Sequence, residues 1–507
     1  MDAFSLLLGG FAEALTPMNL LWCLIGVVLG TAVGVLPGLG SAMAVAMLVP
    51  VTFKLDPTGA FIMFAGVYFG GQFGGATTAI LLNTPGQSSS LVTAFEGYQM
   101  ARRGRAAQAL ATAVIGSFLS SIAAVALVSF FAPSLVDLAV NFGPAEYFAL
   151  AVFAFLATSA VVSGDALRGL ASLGIGLALA VVGIDEQSGA TRLAFGSPQL
   201  LDGISIVVIT VGLLAIGEVL HVASTAGKRP ATGTIESGRP WMSRDDLRRS
   251  WRPWIRGTAV GLPFGAIPAG GSEIPTFLSY GAEKRLAARR GSSEFGSGAI
   301  EGVAGPEAAN NATVATSLVP LLGLGLPTSA TAAIMLGAFQ QYGIQPGPLL
   351  FTEEADLVWA LLASLFVGSV MLLVLNLPFA PIWAKLLKIP NNYLYAGIVV
   401  FATLGVYAAK SSLTDVILMY CIGFLGLLLR RFDFPIAPVL IGAILGPLAE
   451  SELRRAMAIS QGEIGILFDS PIALGLYGII LAALVIKVVG TLRARTTRQR
   501  EDRKAGV

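Results

Sequence analysis

Apolar blocks of roughly 20 residues recur along nearly the whole chain, and each is long enough to cross a bilayer as a helix. Four of them lie between Arg105 and Lys228, at 106–132, 145–163, 166–184 and 203–223. Two more, at 435–450 and 471–492, lie between Arg431 and the basic tail. One stretch breaks the pattern: "GVLPGLGSAMAVAMLVP" at 34–50 is too apolar for a surface loop and too rich in Gly and Pro for an ordinary helix. Proline removes a backbone donor and glycine permits unusual dihedrals, so the stretch is predicted to end or unwind a helix inside the membrane.

The break recurs. Residues 265–281 read "GAIPAGGSEIPTFLSYG", and setting Gly34 on Gly265 superposes Pro37 on Pro268, Gly40 on Gly271 and Ser41 on Ser272. A second pair follows, "AILLNTPGQSSS" at 79–90 and "LLGLGLPTSATAA" at 321–333, each an apolar run interrupted by Pro and then by Ser and Thr. The expected fold is therefore an all-α polytopic membrane protein of about 10–12 transmembrane helices, in two repeats with broken helices or re-entrant hairpins. The expected organisation is a first repeat at 1–223, a basic cytoplasmic loop at 224–257, a second repeat at 258–492 and a basic tail at 493–507. Basic residues on both sides of 257–281 make that segment a candidate re-entrant hairpin, and 74–95, folded about Thr84-Pro85-Gly86, is a second.

Composition agrees: 55% of the residues are hydrophobic and 12% charged, against about 25% charged in soluble domains. The net charge of +2 points to no nucleic acid or acidic partner. Its distribution matters more, because Arg102, Arg103 and Arg105, the 224–257 segment, Arg430 and Arg431, and the tail form basic clusters between apolar blocks. These are expected on the cytoplasmic side, and an even number of spans separates them. Met1-Asp2-Ala3 lacks a basic n-region, so a cleaved signal peptide is not expected. Cys23 and Cys421 lie in apolar blocks with no metal-ligand spacing and read as buried thiols. His221 reads as interfacial, and no H-E-x-x-H, G-x-S-x-G or phosphate-loop stretch is present, which argues against an enzyme or an ATP-driven pump.

Broken backbone at membrane depth persists only when buried in protein or lining a polar cavity. The paired breaks therefore point to a binding site, where half-helix N-termini face an anion and freed carbonyls face a cation. Another suspect is "PEAANNA" at 306–312. Glu307, Asn310 and Asn311 share one helix face and suit a sodium or proton site; alternatively Pro306 begins a helix and Glu307 only complements its dipole near the interface.

Several motifs carry a resemblance: "GVLPGLG" at 34–40, "YFGGQFGGATTAILLNTPG" at 68–86, "FEGYQMARRGRAAQAL" at 95–110, "FGPAEYFAL" at 142–150, "GSGAIEGVAGPEAANNA" at 296–312 and "QPGPLLF" at 345–351. In these and in length the chain resembles the large transmembrane subunit of the tripartite tricarboxylate transporter family. The resemblance implies a bacterial inner-membrane carrier driven by an ion gradient, with a small transmembrane subunit and a periplasmic solute-binding protein as partners. It implies a carboxylate substrate and no cofactor beyond sodium as a possible coupling ion. Two positions depart from the family's usual Pro-Gly, at Pro268-Ala269 and Pro327-Thr328.

The candidate substrate-binding residues are Gly38, Gly40, Ser41, Asn83, Thr84, Ser88, Gly271, Ser272, Thr328 and Ser329, offering hydroxyl and backbone N–H groups to carboxylates. Packing of small residues is the competing explanation for each. Glu273, Glu307, Asn310 and Asn311 are the ion-coupling candidates. A stand-alone cation-coupled carrier for another solute, or a channel, remains the competing function.

Overall fold

In hydrocarbon a backbone must satisfy its own hydrogen bonds, and this chain does so almost entirely as helices. The computed structural model describes residues 3–482 apart from 37–38, 85, 140–141, 162–165, 186–188, 226–240, 268–270, 348 and 387–390. Among the described residues, seven helices are long and apolar enough to cross a membrane alone. Shorter apolar helices and the broken elements make up the rest. The strands among the described residues form one two-stranded hairpin, Gly183–Ile184 with Thr191–Arg192.

The first half begins with α1 (Ala3–Ala14) and α2 (Pro17–Val35), then breaks and restarts as α3 (Ser41–Thr52). Helix α4 (Pro57–Leu82) has Pro at its first position and is capped by Asp56, which accepts from the Thr58 and Gly59 amides. It stops at Asn83, whose left-handed φ of 55° cannot continue a helix. A 3-10 turn at Ser88–Ser90 leads into α5 (Leu91–Arg102), followed by α6 (Ala106–Ala139), α7 (Pro144–Val161) and α8 (Ala166–Ala180). The first half closes with α9 (Ile206–Thr210) and α10 (Gly217–Thr225), joined into one rod by a π-helical turn at Val211–Ile216.

The second half opens with α11 (Arg244–Gly265), whose N-terminus is fixed by a Ser243–Asp246 capping box. The boundary expected at 257/258 thus falls inside one helix. A break then leads to α12 (Glu273–Arg289), α13 (Glu301–Thr316), α14 (Leu318–Leu324), a second break, and α15 (Ala330–Gln341). The remaining helices are α16 (Leu350–Glu353), α17 (Ala355–Asn376), α18 (Ala380–Leu386), α19 (Asn391–Lys410), α20 (Leu413–Arg431) and α21 (Ile436–Ile459), and a last apolar helix runs from Pro471 to Ala482. The expected tail at 493–507 lies outside the described residues.

Two glycine stripes set the packing. A Cβ added at Gly26, Gly30 or Gly34 of α2 would stand 2.4, 2.5 and 2.3 Å from the carbonyl oxygens of Met63, Val67 and Gly71 on α4. On α11, a Cβ at Gly257, Gly261 or Gly265 would stand 2.1, 2.3 and 2.4 Å from those of Gly305, Ala309 and Thr313 on α13. Only glycine allows such backbone contact. The two stripes fall at one offset (26 + 231 = 257, 30 + 231 = 261, 34 + 231 = 265), the offset that superposes the two breaks. Numbers rise together within each pair, so α2 lies parallel to α4 and α11 to α13. The intervening α3 and α12 must therefore run back, making each break the tip of a hairpin.

Ion pairs fix which way each hairpin points. Arg105 meets Asp246 at 2.5 Å, Arg249 meets Glu294 at 2.5 Å and Glu301 at 2.8 Å, and Arg256 meets Glu283 at 2.6 Å. The starts of α6, α11 and α13 and the end of α12 thus share one basic face. Helix α5 ends there too, since Glu96 accepts from the Gly298 and Ala299 amides at 2.8 and 3.0 Å. At the other face the Tyr342 hydroxyl donates to the Thr52 carbonyl at 2.5 Å, and Phe61 stacks on Phe339. Helices α2 and α4 accordingly run toward the basic face, and α11 and α13 run away from it.

The hairpin expected at 257–281 is present, with the Arg256–Glu283 pair tying its arms. Residues 74–95 behave differently from the simple hairpin expected there. Helix α4 continues through 74–82, the 83–90 loop folds back until Gln87 and Ser90 lie beside Gly75, and α5 then turns toward the basic face. Cys23 is buried as expected, but Cys421 is exposed, on the outer side of α20.

Candidate binding cavity

The four breaks meet. Ser41 at the α2–α3 tip lies 3.1 Å, hydroxyl to hydroxyl, from Thr331 on α15. Tyr68 of α4 hydrogen-bonds Ser329 at 2.9 Å, and Ser88 ahead of α5 donates to the Glu273 carboxylate at the α11–α12 tip. Ser89 donates to Gln72 of α4 at 3.1 Å. Between them lies a cavity of about 430 Å³, within the size range of small-molecule sites.

Of the residues expected to bind substrate, Gly40, Ser41, Ser88, Gly271, Ser272, Thr328 and Ser329 line this cavity, as does Glu273. Gly38 lies outside the described residues, as do Pro37, Pro85 and Pro268. Asn83 and Thr84 do not line the wall. Asn83 is exposed at the left-handed stop of α4, and the Thr84 hydroxyl donates back to the Leu82 carbonyl at 3.3 Å. Both residues serve to end a helix.

The polar lining residues that escaped sequence reasoning are Tyr68, Gln72, Gln87, Ser89, Thr158 and Thr331. Gln72 was detectable in principle, as an amide inside an otherwise apolar, glycine-rich run. Gln87 was not, because only the fold-back of its loop brings it inward.

The electrostatics follow from where helices begin. Helices α3, α12 and α15 start at Ser41, Glu273 and Ala330, capped by Gly40, Ser272 and Ser329, all on the cavity wall. Their first-turn N–H groups and dipoles point inward and favour a negative charge. Among the described residues, Glu273 is the one charged side chain on the wall. One of its carboxylate oxygens, the Gln87 amide nitrogen and the Thr328 hydroxyl are buried without a protein partner. Groups of this kind are costly unless a ligand or water satisfies them.

The third candidate cluster lies elsewhere. Glu307, Asn310 and Asn311 are fully buried within α13 and do not line the cavity. Pro306 sits inside α13 rather than at its first position, so the reading of Glu307 as an interfacial dipole partner is overturned. No group of three His, Cys, Asp or Glu suited to a metal occurs among the described residues.

Apolar spans, hairpins whose tips meet and a polar cavity ringed by helix starts define a multi-pass membrane protein. Residues 20–441 match the model of the tripartite tricarboxylate transporter TctA family, and the chain belongs to that family. It is 45% identical over 495 residues, 98% of both chains, to an uncharacterized 52.8 kDa protein in the TAR-I ttuC' 3' region of Agrobacterium vitis. A second Agrobacterium vitis protein, from the TAR-II ttuC' 3' region, is 42% identical over 235 residues, covering 46% of this chain and 96% of its own length. No solved structure matches the chain significantly.

Proposed function

We propose that this chain is the permease subunit of a binding-protein-dependent secondary transporter. It imports a carboxylate, citrate or another di- or tricarboxylate, across a bacterial inner membrane, coupled to a sodium or proton gradient. Its partners are a small transmembrane subunit and a periplasmic solute-binding protein. The observation that carries this reading is the convergence of helix starts on one polar cavity, a geometry that holds an anion without basic side chains.

A carboxylate entering this cavity meets backbone N–H groups and the hydroxyls of Ser41, Ser272 and Ser329. It also meets Glu273, and like charges at that distance repel. A co-bound cation or proton removes the repulsion, so Glu273 makes anion binding depend on the coupling ion. The two oppositely directed hairpin units act as inverted repeats, and movement of one against the other exposes the site to alternate faces. The membrane potential contributes about 2.3 kcal/mol per inward positive charge per 100 mV. A dianion therefore needs at least three monovalent cations for net inward charge.

Uptake of labelled di- and tricarboxylates into proteoliposomes, under separate sodium and proton gradients, tests the proposal. Gradient-driven accumulation that needs the binding protein is the expected outcome. Accumulation without the binding protein supports a stand-alone carrier instead, and downhill equilibration insensitive to both gradients overturns coupling.

A further inference from the structure

Away from the cavity, α5, α6 and α13 enclose a polar cluster built around Glu307. Its side chain is fully buried, and no basic residue pairs with it among the described residues. One carboxylate oxygen accepts from the Thr93 hydroxyl of α5, and the other from Ser117 of α6 at 3.4 Å. The Asn311 side-chain nitrogen donates to Ser117 at 2.7 Å and to the Glu307 carbonyl at 3.1 Å.

The buried oxygens left unpartnered indicate what this cluster is built to hold. Ser117 accepts from Asn311, so its own proton goes to Glu307, and Thr93 likewise donates to the carboxylate. Two neutral hydroxyls do not cancel a charge buried at this depth. A proton on Glu307 would be met by the Thr93 hydroxyl turning to accept it, but would leave the Asn311 side-chain oxygen without a partner. A cation instead draws on the carboxylate and on the free lone pairs of both hydroxyls. It also draws on the Asn311 side-chain oxygen, which is buried without a protein partner. Asn310, one position earlier, has both side-chain polar atoms in the same condition, and so does the Ser121 hydroxyl, one turn beyond Ser117. The groups here that can ligate a cation are hard oxygens and only Glu307 carries charge, which matches an alkali cation better than a divalent ion.

We infer that Glu307, Thr93, Ser117 and Asn311 form a monovalent cation site separate from the cavity. Helix α5 links the two places. The turn that leads into it carries Ser88 and Ser89 to the cavity wall, and Thr93 stands five residues after Ser88. A cation holding Thr93 therefore fixes the start of α5 and the hydroxyls it presents to a substrate. This link, though not the site, rests on the cavity being the substrate site.

The test is direct binding of radioactive sodium to the purified chain with its small subunit, without carboxylate, and with choline holding ionic strength constant. Saturable binding is expected. Glu307→Gln should weaken it at least ~10-fold, and Thr93→Val and Ser117→Ala about 3- to 10-fold, in line with loss of a charged or a neutral oxygen contact. Glu353→Gln, an exposed carboxylate outside both places, should leave it in place. Absence of saturable sodium binding in the wild type overturns the inference. So does loss in Glu273→Gln with retention in Glu307→Gln. Should Glu307→Gln fail to fold, the two hydroxyl variants decide, and unchanged affinity in both overturns it. Intact sodium binding with no carboxylate uptake under any gradient would instead remove the transport reading and leave this site standing.

Discussion

The tip of the α2–α3 hairpin presents Gly40 and Ser41 to the cavity, while the tip of α11–α12 presents Gly271, Ser272 and Glu273. Backbone and serine stand in the same register at both tips, but Ala42 in one is Glu273 in the other. Their support differs too. Arg256 and Glu283 tie the second hairpin at its base, and among the described residues no ion pair ties the first. One device for aiming N–H groups at a ligand is thus used twice, once neutral and once acidic. On the proposed function, the neutral tip holds an anion unaided, whereas the acidic tip holds one only when its charge is compensated. Under the proposed function, the asymmetry of the two tips gives the cavity itself a way to couple ion and substrate, alongside the cation site inferred at Glu307.

The broadest way to break the comparison is to remove the shared foundation. Gly30→Leu and Gly261→Leu each force a side chain toward a carbonyl that stands 2.5 or 2.3 Å from the added Cβ. Each is expected to cost on the order of 3 kcal/mol or more, read as loss of the monodisperse protein or a large fall in thermal stability. Similar damage from both supports equivalent halves, and damage from one alone breaks the equivalence. Next come the tips. Glu273→Gln is expected to lower gradient-driven uptake about tenfold and to flatten its dependence on the coupling ion. Ser41→Ala and Ser272→Ala should each raise KM about 5- to 10-fold and leave kcat nearly unchanged, as loss of one hydrogen bond to an anion does. A KM shift confined to one serine would show that only one tip touches the substrate.

A smaller effect is expected at the tie. Glu283 has only 2% of its side chain exposed, and Arg256→Gln leaves it without its cation. Because the Arg256 side chain is 33% exposed, the loss is set at about 1–2 kcal/mol, below that for a fully buried pair. Faster amide exchange in α12, with α3 unchanged, would show that the ion pair steadies the second hairpin alone. Equal acceleration in both would mean that the hairpins move as one body.

Much of this was legible in the sequence because glycine, proline and charge act locally. The 231-residue offset that aligned Gly40 with Gly271 also aligns Gly26, Gly30 and Gly34 with Gly257, Gly261 and Gly265. The structure gives those glycines a reason, backbone contact. The hydroxyls at 41, 88, 272, 328 and 329 line one cavity, as a break inside an apolar run must be lined by something polar. Tyr68 and Gln87 were missed because their inward direction depends on how α4 packs and on the fold-back of the 83–90 loop, neither of which has a local signal. Glu307 was recognised as a suspect from its charge and from the helix face it shares with Asn310 and Asn311. Its hydroxyl partners come from α5 and α6, some 200 residues earlier in the chain, beyond any spacing argument.

Asn83 gives the finest test, because the sequence offers it as a candidate ligand while the structure places it at the left-handed end of α4, off the cavity wall. Its φ of 55° lies in the left-handed region, where asparagine is tolerated and glycine is free of strain. Its side chain is exposed, away from the cavity. Asn83→Gly keeps that backbone conformation and removes every side-chain atom that could hold a substrate. It is expected to change thermal stability by less than about 1 kcal/mol and to leave KM for the carboxylate where it was. Asn83→Val, which disfavours the left-handed conformation, should instead lower stability by about 1–2 kcal/mol. A rise in KM for Asn83→Gly without loss of stability would return Asn83 to the binding site and show that the 83–90 loop turns its other face to the substrate. If Gly is tolerated and Val is not, the residue acts through backbone geometry, ending α4 where Ser88 can reach the acidic tip.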